Sequence, residues 1–286
     1  LNISATAAIL GNTAKEAGGG IRSYGSTNAI TVTGGIIAGN EADGKTVAGF
    51  TGTPGFGNGG GIYASSGERP VSIENAVIAA NKAKIQQEDP TKEQAGNGGG
   101  VYCEETTTKI GRNTVIAGNQ AASGSGIYLL NTVNAENAIT GNVIISNNQA
   151  SENGGGICSE NSKITLAGNT AITGNQAEGE GGGIYNDSDP KQVIPIKDQS
   201  VIAANTANAV KSNSIHPCEY NGASAANSYT IDRTSYVEGI WNTTPAAEVK
   251  TVKELKARIE VASTNHFDAA LIPLGDDIKI DSTDPV

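Results

Sequence analysis

The chain repeats itself, and this repetition constrains its fold more than any other feature. An Ile-x-x-Asn step recurs along the chain, and each Asn is followed two residues later by Ala. Successive asparagines lie 28, 41, 38, 29, 27 and 30 residues apart, so the base period is about 27 to 30 residues. The two long intervals carry insertions at residues 43–58 and 84–97. The repeated asparagines are Asn12, Asn40, Asn81, Asn119, Asn148, Asn175 and Asn205.

A glycine-rich second step follows most copies of the first. Its fullest form, Gly-Gly-Gly-Ile-Tyr, occupies residues 59–63 and 181–185. Variants stand at 18–22, 98–102, 124–128 and 154–158, and a third apolar piece such as Val71–Ile73 lies between the steps. Each period therefore contains three short β segments divided by turns. This pattern predicts an all-β fold, a right-handed parallel β-helix (solenoid) of about seven turns.

The repeated residues have structural roles in such a fold. The isoleucines of both steps are expected to point inward and stack in columns from turn to turn. An Asn that recurs once per turn can form an amide ladder along the axis, in which each amide bonds the next. Glycine permits a positive φ and a close backbone approach at a tight corner. We therefore interpret the Asn ladder as structural.

The residue after each inward Ile is expected to point outward, because strand faces alternate. This position holds Tyr63, Tyr102, Tyr128 and Tyr185, with Arg22 at the head of the column and Cys158 in one turn. An exposed row of tyrosines is a candidate binding column for sugars or a partner protein. The other interpretation is that the rings stack on one another and stabilise the sheet.

The two steps together resemble the paired motifs of the polymorphic outer-membrane protein family, whose surface-exposed regions carry Gly-Gly-Ala-Ile and Phe-x-x-Asn repeats. The resemblance extends to adhesin-like β-helix proteins and covers roughly residues 1–207. This chain departs from the pattern by placing Gly where the family has Ala and Ile where it has Phe. The resemblance implies an extracellular or cell-surface protein, often an adhesin, with no catalytic residues to carry over.

Composition excludes several classes of partner. The net charge of −10 argues against nucleic acid, whose phosphates require clustered Lys and Arg. No stretch approaches the roughly 20 apolar residues of a membrane span. Three cysteines do not make a disulfide framework. Cys103 and Cys158 are expected two turns apart, roughly 10 Å, which exceeds the roughly 7 Å that a disulfide allows, so we expect free thiols.

The repeat fades after Ala207, and the remaining chain divides into three predicted parts. Residues 1–241 form the β-helix with an irregular last turn, residues 242–250 a linker, and residues 251–286 a cap-like segment. Thr251 and Glu254 form a capping box that predicts a helix, and strands are expected at 270–274 and 277–280. Such a segment either opens a second β-helix domain or covers the first turn of another copy. The latter arrangement produces head-to-tail filaments.

Catalytic and metal-binding patterns are weak. Gly275-Asp276-Asp277 superficially resembles a polygalacturonase motif, but the companion motifs are missing and the position lies outside the repeats. His216 and Cys218 supply only two ligands, fewer than zinc requires. Residues 186–189 lack the full pattern of a calcium loop. We expect no enzyme activity, no cofactor and no metal.

The sequence therefore predicts a non-catalytic extracellular surface protein of adhesin or structural type. Two alternatives remain open. One is the subunit of a head-to-tail extracellular filament, in which the C-terminal segment caps the next copy. The other is a carbohydrate-binding or carbohydrate-active β-helix protein. The expected partners are other copies of the chain or a host or cell-surface ligand, and neither nucleic acid nor a membrane span is expected.

Overall fold

The chain winds into a right-handed parallel β-helix, which confirms the fold predicted from the repeats. The structure is a computed structural model. It describes residues 1–25, 29–44, 57–65, 70–84, 96–132, 136–187, 193–208, 215–216, 229–231 and 234–237. These residues belong to one packed unit, Leu1–Gly239. Every strand pair among them is parallel, as stacked coils require.

Each coil passes through three sheets that run along the solenoid. The first, here called the tyrosine sheet, contains β3 (Ile21–Tyr24), β6 (Ile62–Ser65), β10 (Val101–Glu104), β14 (Ile127–Leu130), β18 (Ile157–Glu160), β22 (Ile184–Asp187) and β26 (Ile215–His216). The second, here called the short sheet, contains β2 (Thr13–Ala14), β5 (Glu41–Ala42), β9 (Lys82–Ala83), β13 (Gln120–Ala121), β17 (Gln149–Ala150), β21 (Gln176–Ala177) and β25 (Thr206–Ala207).

The third sheet is bent into two arms. Two long strands, β1 (Asn2–Leu10) and β4 (Ile30–Ala38), run through both arms. The first arm continues with β7 (Val71–Glu74), β11 (Thr108–Gly111), β15 (Glu136–Thr140), β19 (Lys163–Ala167), β23 (Ile194–Ile196) and β27 (Tyr229–Ile231). The second arm continues with β8 (Val77–Ala79), β12 (Val115–Ala117), β16 (Ile144–Ser146), β20 (Ala171–Thr173), β24 (Val201–Ala203) and β28 (Tyr236–Val237).

The core is the interior of the coil, and columns of aliphatic side chains fill it. The isoleucine of each Ile-x-x-Asn step from Ile37 onward is fully buried, and so are Ile62, Val101 and Ile127 after the glycines. Residues of one column pair directly from coil to coil, as in Ile78 with Ile116. Burial of such a side chain contributes about 1.5 to 3 kcal/mol, so repetition of one inward position builds the core coil by coil.

The last described strands extend the coil beyond the point where the sequence repeat fades. Ile215 pairs with Ile184, Tyr229 with Ile194, and Tyr236 with Val201. The predicted helix, strands and linker after residue 241 lie outside the described residues, as does Cys218. The domain boundaries at 241 and 250 therefore stay predictions.

Candidate functional site

The seven asparagines of the Ile-x-x-Asn steps form one continuous ladder inside the coil. The side-chain Nδ2 of each donates to the Oδ1 of its counterpart in the next coil, at 2.9–3.1 Å throughout. The backbone N–H of each Asn donates to the same Oδ1, at 2.9–3.1 Å. The ladder runs from Asn12 to Asn205 and, apart from its exposed first member, is buried.

The second hydrogen of each amide is also used. Nδ2 of Asn119 donates to the carbonyl of Ile78 at 3.1 Å, and Nδ2 of Asn148 donates to that of Ile116 at 3.1 Å. Each internal member therefore donates both amide hydrogens and accepts two bonds at its oxygen. This satisfaction explains how a polar side chain resides in the core without the penalty of an unpaired buried group.

The glycine step is the corner that makes room for this ladder. A Cβ at Gly100 would lie 2.6 Å from the carbonyl oxygen of Gly126 and 3.1 Å from Nδ2 of Asn119. Gly98 adopts φ +68°, and its Cβ would lie 2.7 Å from the Cβ of Tyr102. The first glycine thus packs against the tyrosine column and the third against the ladder. This joint packing explains why the two steps occur together in the sequence.

The tyrosine column lies outside the coil wall but is not exposed, so the prediction of an exposed column is wrong for three of its members. Tyr63, Tyr102 and Tyr128 are only 2%, 4% and 4% exposed, and Tyr185 is partly buried. Adjacent rings among the first three stack with centroids 5.2 Å apart and planes within 7° of parallel. The stacked geometry corresponds to the interpretation in which the rings stabilise the sheet.

A second apolar cluster on the outer side of the tyrosine sheet explains this burial. Ala17, Tyr63, Tyr102, Tyr128 and Cys158 pack together, and Leu130 and Tyr185 pack against them. Strand alternation places a side chain on one side of the wall, but it does not reveal a second packed layer on that side. Arg22, at the head of the column, is exposed and pairs with Glu16.

Burial changes the acidity of this cluster. It raises the pKa of Tyr63, Tyr102 and Tyr128, and it raises the pKa of Tyr185 to about 12. For Tyr128 the neighbouring Cys158 and a hydrogen bond to Glu160 act in the same direction as burial. The phenol groups are therefore neutral hydrogen-bonding groups at physiological pH.

The two described cysteines are free and buried, which confirms the prediction of free thiols for both. Cys103 points into the coil, where burial raises its pKa to about 12. Cys158 takes the place of a tyrosine in the outer column, and burial raises its pKa well above the usual value. Neither thiol has the lowered pKa that marks a reactive cysteine.

A second asparagine ladder, which sequence reasoning missed, runs along the bend between the two arms of the large sheet. Asn142 donates to Asn113 at 3.2 Å, and Asn169 donates to Asn142 at 3.0 Å. Asn75, Asn113, Asn142 and Asn169 are all exposed and adopt φ values between 52° and 61°. Each of them stands three residues before the Ile of an Ile-x-x-Asn step, and this constant spacing is the sequence signal that could have found them.

Both insertions leave and re-enter the solenoid at one corner. The chain leaves the solenoid after Asp43 in one coil and after Lys84 in the next coil. The N–H of Asp43 donates to the carbonyl of Ala14, and the N–H of Lys84 donates to the carbonyl of Ala42. It re-enters at Gly57, which donates to Glu16, and at Gly96, which accepts from Ala122. Residues 45–56 and 85–95 lie outside the described residues. The flanks place the two insertions in neighbouring coils, between the short sheet and the tyrosine sheet.

The remaining sequence candidates are not brought together. Within the described ranges, no three His, Cys, Asp or Glu side chains form a group that could hold a metal ion. Asn186 and Asp187 stand at the end of a strand, whereas residues 188–189 and 275–277 lie outside the described residues. Among the residues described, no helix is long and apolar enough to cross a membrane.

Comparison with known proteins finds the repeat itself. Residues 142–160 and 164–187 match the model of the Chlamydia polymorphic membrane protein repeat. Each matched stretch contains one Ile-x-x-Asn step and one glycine step, so the resemblance predicted from these steps is confirmed. No curated protein matches the chain, and no solved structure matches it.

Proposed function

We propose that this chain, which carries polymorphic membrane protein repeats, is a non-catalytic surface protein of adhesive or structural type. The observation that supports this proposal is the use of the repeated side chains. The isoleucines, the inner asparagines and the stacked tyrosines all bond or pack from coil to coil, so the repeat builds a rigid scaffold. Solenoids of this kind present their binding groups on loops that leave one face.

The corner with the insertions is where one coil differs most from another. Without residues 85–95, Ala83-Lys84 would continue directly into Gly96-Asn97-Gly98. That spacing from Ala to the first glycine equals the spacing from Ala150 to Gly154, which needs no insertion. Removal of residues 44–56 gives the same spacing from Ala42 to Gly59. The insertions are therefore additions to a coil that is complete without them, as expected for segments with a role in adhesion.

Deletion of both insertions tests this assignment. Beads coated with the intact chain are compared with beads coated with the chain lacking 44–56 and 85–95, on cultured epithelial cells and on wells coated with collagen, laminin or a panel of polysaccharides. We expect the intact chain to bind at least one probe and the deletion to lower binding at least tenfold. The melting temperature should change by no more than roughly 4 °C, which corresponds to about 1 kcal/mol or less.

Two outcomes would count against the proposal. If the intact chain binds none of these probes, the adhesive assignment fails and a purely structural role is left. If the folded deletion variant binds as well as the intact chain, the adhesive surface lies elsewhere on the molecule. A variant with Ser151→Gly in a coil that has no insertion is the matched control, because it changes the same corner and should bind normally.

The carbohydrate-active alternative has a direct test. Incubation of the chain with the same polysaccharide panel, followed by an assay for reducing ends and for unsaturated products, detects a hydrolase or a lyase. We expect neither product. Sugar release that scales with protein concentration would establish enzyme activity in place of the proposed scaffold role.

The head-to-tail filament stays a second proposal for the structural role. Its support is the cap-like sequence pattern at residues 251–286, which lies outside the described residues. Electron micrographs of the purified full chain test it, since a heterologous contact repeats without closing and produces fibres. Removal of residues 251–286 should then abolish the fibres.

A further inference from the structure

The outer surface of the second arm is an aliphatic face. Its first column contains Ala8, Ile36, Val77, Val115, Ile144, Ala171 and Val201. Ile36, Val77 and Ile144 are 45%, 37% and 43% exposed, although most large aliphatic side chains elsewhere in the repeats are buried. Leu10, in the neighbouring column, is 55% exposed. Four of the seven exposed large hydrophobic side chains among the described residues thus lie on this face.

The aliphatic face carries no charge over its first seven coils. The first seven of the eight strands of this arm cross the face with six-residue segments, and none of these segments contains Asp, Glu, Lys, Arg or His. In the eighth, Tyr236 continues the first column beside Val201, and Glu238 follows in the sequence. Charged residues make up 17% of the whole chain, whose net charge is −10. The segments are 6–11, 34–39, 75–80, 113–118, 142–147, 169–174 and 199–204. A charged partner, whether acidic or basic, finds no complementary group here.

The aliphatic face has a regular surface shape, with large and small side chains in neighbouring columns. Beside the first column runs a second outward column, which begins with Leu10 and continues with the small side chains of Ala38, Ala79, Ala117, Ser146, Thr173 and Ala203. Parallel pairing in register holds both columns straight, with coils about 4.8 Å apart. A ridge of mostly branched aliphatic side chains therefore lies beside a shallow groove from the second coil onward, interrupted at Ala171, whereas in the first coil Ala8 stands beside the large Leu10. Under a two-fold rotation about an axis that lies in the interface and runs parallel to the columns, the ridge of one copy meets the groove of the other.

We infer that the aliphatic face is the contact between two copies of this chain, packed face to face. The arrangement is isologous, because the same patch serves both copies, so association closes at the dimer. The ridge of each copy fills the groove of its partner, in the manner of two stacked sheets about 10 Å apart. The uncharged face also lets two chains of equal negative charge approach without direct repulsion of like charges.

The size of the face sets the strength of the contact. Seven coils at about 4.8 Å span roughly 30 Å, and the six-residue segments span roughly 15 to 20 Å across. Each copy therefore buries roughly 450 to 600 Å², or about 900 to 1,200 Å² for the pair. This total lies at the lower end of specific interfaces, and the dimer is weak and dissociates on dilution. The contact differs from the head-to-tail filament, which grows without limit.

Charge substitutions on the face test the dimer. Sedimentation velocity of the full chain from about 1 to 200 μM, a range that covers weak association, should show a monomer–dimer equilibrium. The variant Val77→Glu with Ile144→Glu should raise the dissociation constant at least 100-fold, and so should Val77→Lys with Ile144→Lys. An equimolar mixture of the two variants should recover a heterodimer within about tenfold of the original affinity. Circular dichroism and melting temperature establish that each variant is folded.

A matched control places the same charges on the first arm. Ser72→Glu with Thr140→Glu changes outward residues of β7 and β15, in the coils that contain Val77 and Ile144, and should leave the dimer intact. A strictly monomeric wild type, a dimer insensitive to the face variants, or open-ended growth overturns the inference. It is equally overturned if the folded Glu and Lys variants fail to associate with each other.

Discussion

Two asparagine ladders run along this solenoid, and they differ in one respect. The inner ladder, from Asn12 to Asn205, is buried beyond its first member, and every internal amide makes four bonds. The outer ladder, from Asn75 to Asn169, has the same residue and the same coil-to-coil repeat, but it is exposed and its side-chain bonds are 3.0–3.4 Å.

The comparison shows what determines how much an amide ladder stabilises the coil. It is whether the loss of an amide leaves its hydrogen-bonding partners unpaired in the core. Removal of an inner amide leaves donors and carbonyls in a dry core, where each unpaired group costs about 1 to 3 kcal/mol. Removal of an outer amide exposes its partners to water, which replaces the lost bond. The outer asparagines have another role: they tolerate the left-handed backbone at the bend between the arms.

The largest expected effect is that of Asn119→Ala in the middle of the inner ladder. It removes four hydrogen bonds and leaves the N–H groups of Asn81 and the carbonyl of Ile78 without this partner. We expect a loss of about 3 to 5 kcal/mol in the free energy of unfolding, measured by urea denaturation. A loss below about 1 kcal/mol would show that burial does not distinguish the ladders.

Gly100→Ala tests the packing that couples the glycine corner to the inner ladder. The new Cβ would stand 2.6 Å from the carbonyl oxygen of Gly126, so two coils must separate locally. Overpacking of this kind costs about 1 to 3 kcal/mol. The position is where the related family pattern has Ala. If urea denaturation gives an unchanged free energy, the corner is not the tight contact described above.

A substitution in the tyrosine column has an intermediate effect on the free energy of unfolding, and this effect appears only at alkaline pH. Burial raises the pKa of Tyr128 above its value in the unfolded chain, so the unfolded state loses its proton first. Stability is therefore complete below about pH 10 and falls as the pH rises above it, by up to about 1.4 kcal/mol per pH unit for this group. Tyr128→Phe keeps the stacked ring, and its stability should fall less steeply between about pH 10 and 12. Parallel slopes for the two proteins, from urea titrations across this range, would argue against a buried phenol.

The smallest expected effects belong to the outer ladder. Asn113→Ala should cost about 1 kcal/mol, because Ala disfavours the φ of 58° found there. Asn113→Gly removes the same amide and permits that φ, so its free energy of unfolding should lie within about 0.5 kcal/mol of the wild type. If the glycine variant loses as much stability as Asn119→Ala, the exposed hydrogen bonds stabilise the fold as much as the buried ones do.

The sequence predicts the inner structure well because the core repeats with the coil. An Ile or Asn at a constant place in each period occupies a constant place in the coil, so columns, ladder and parallel sheets follow from spacing alone. The same spacing also predicts where the insertions lie in the chain, because an insertion leaves the 27- to 30-residue period intact before and after it.

Features beyond the coil wall could not be predicted in this way. Alternation places Tyr102 on the outer side of β10, but only the three-dimensional packing of Ala17, Tyr128 and Cys158 shows that this side is covered. The aliphatic face escaped notice for the opposite reason. Val77 and Ile144 belong to runs with buried neighbours such as Ile78 and Ile145, and an apolar run does not indicate which member faces water.

Native-state hydrogen exchange measured by NMR tests the central claim most directly, because it compares the two ladders in one unmodified molecule. The N–H of Asn119 donates to Asn148 in the buried ladder at 2.9 Å, and the N–H of Asn113 donates to Gly141 at the exposed bend at 2.9 Å. We expect the amide of Asn119 to exchange only through global unfolding, and that of Asn113 to exchange through local opening at least 100-fold faster. Equal protection of the two amides would contradict the claim that burial, and not repetition of the amide, makes the inner ladder the structural element of the coil.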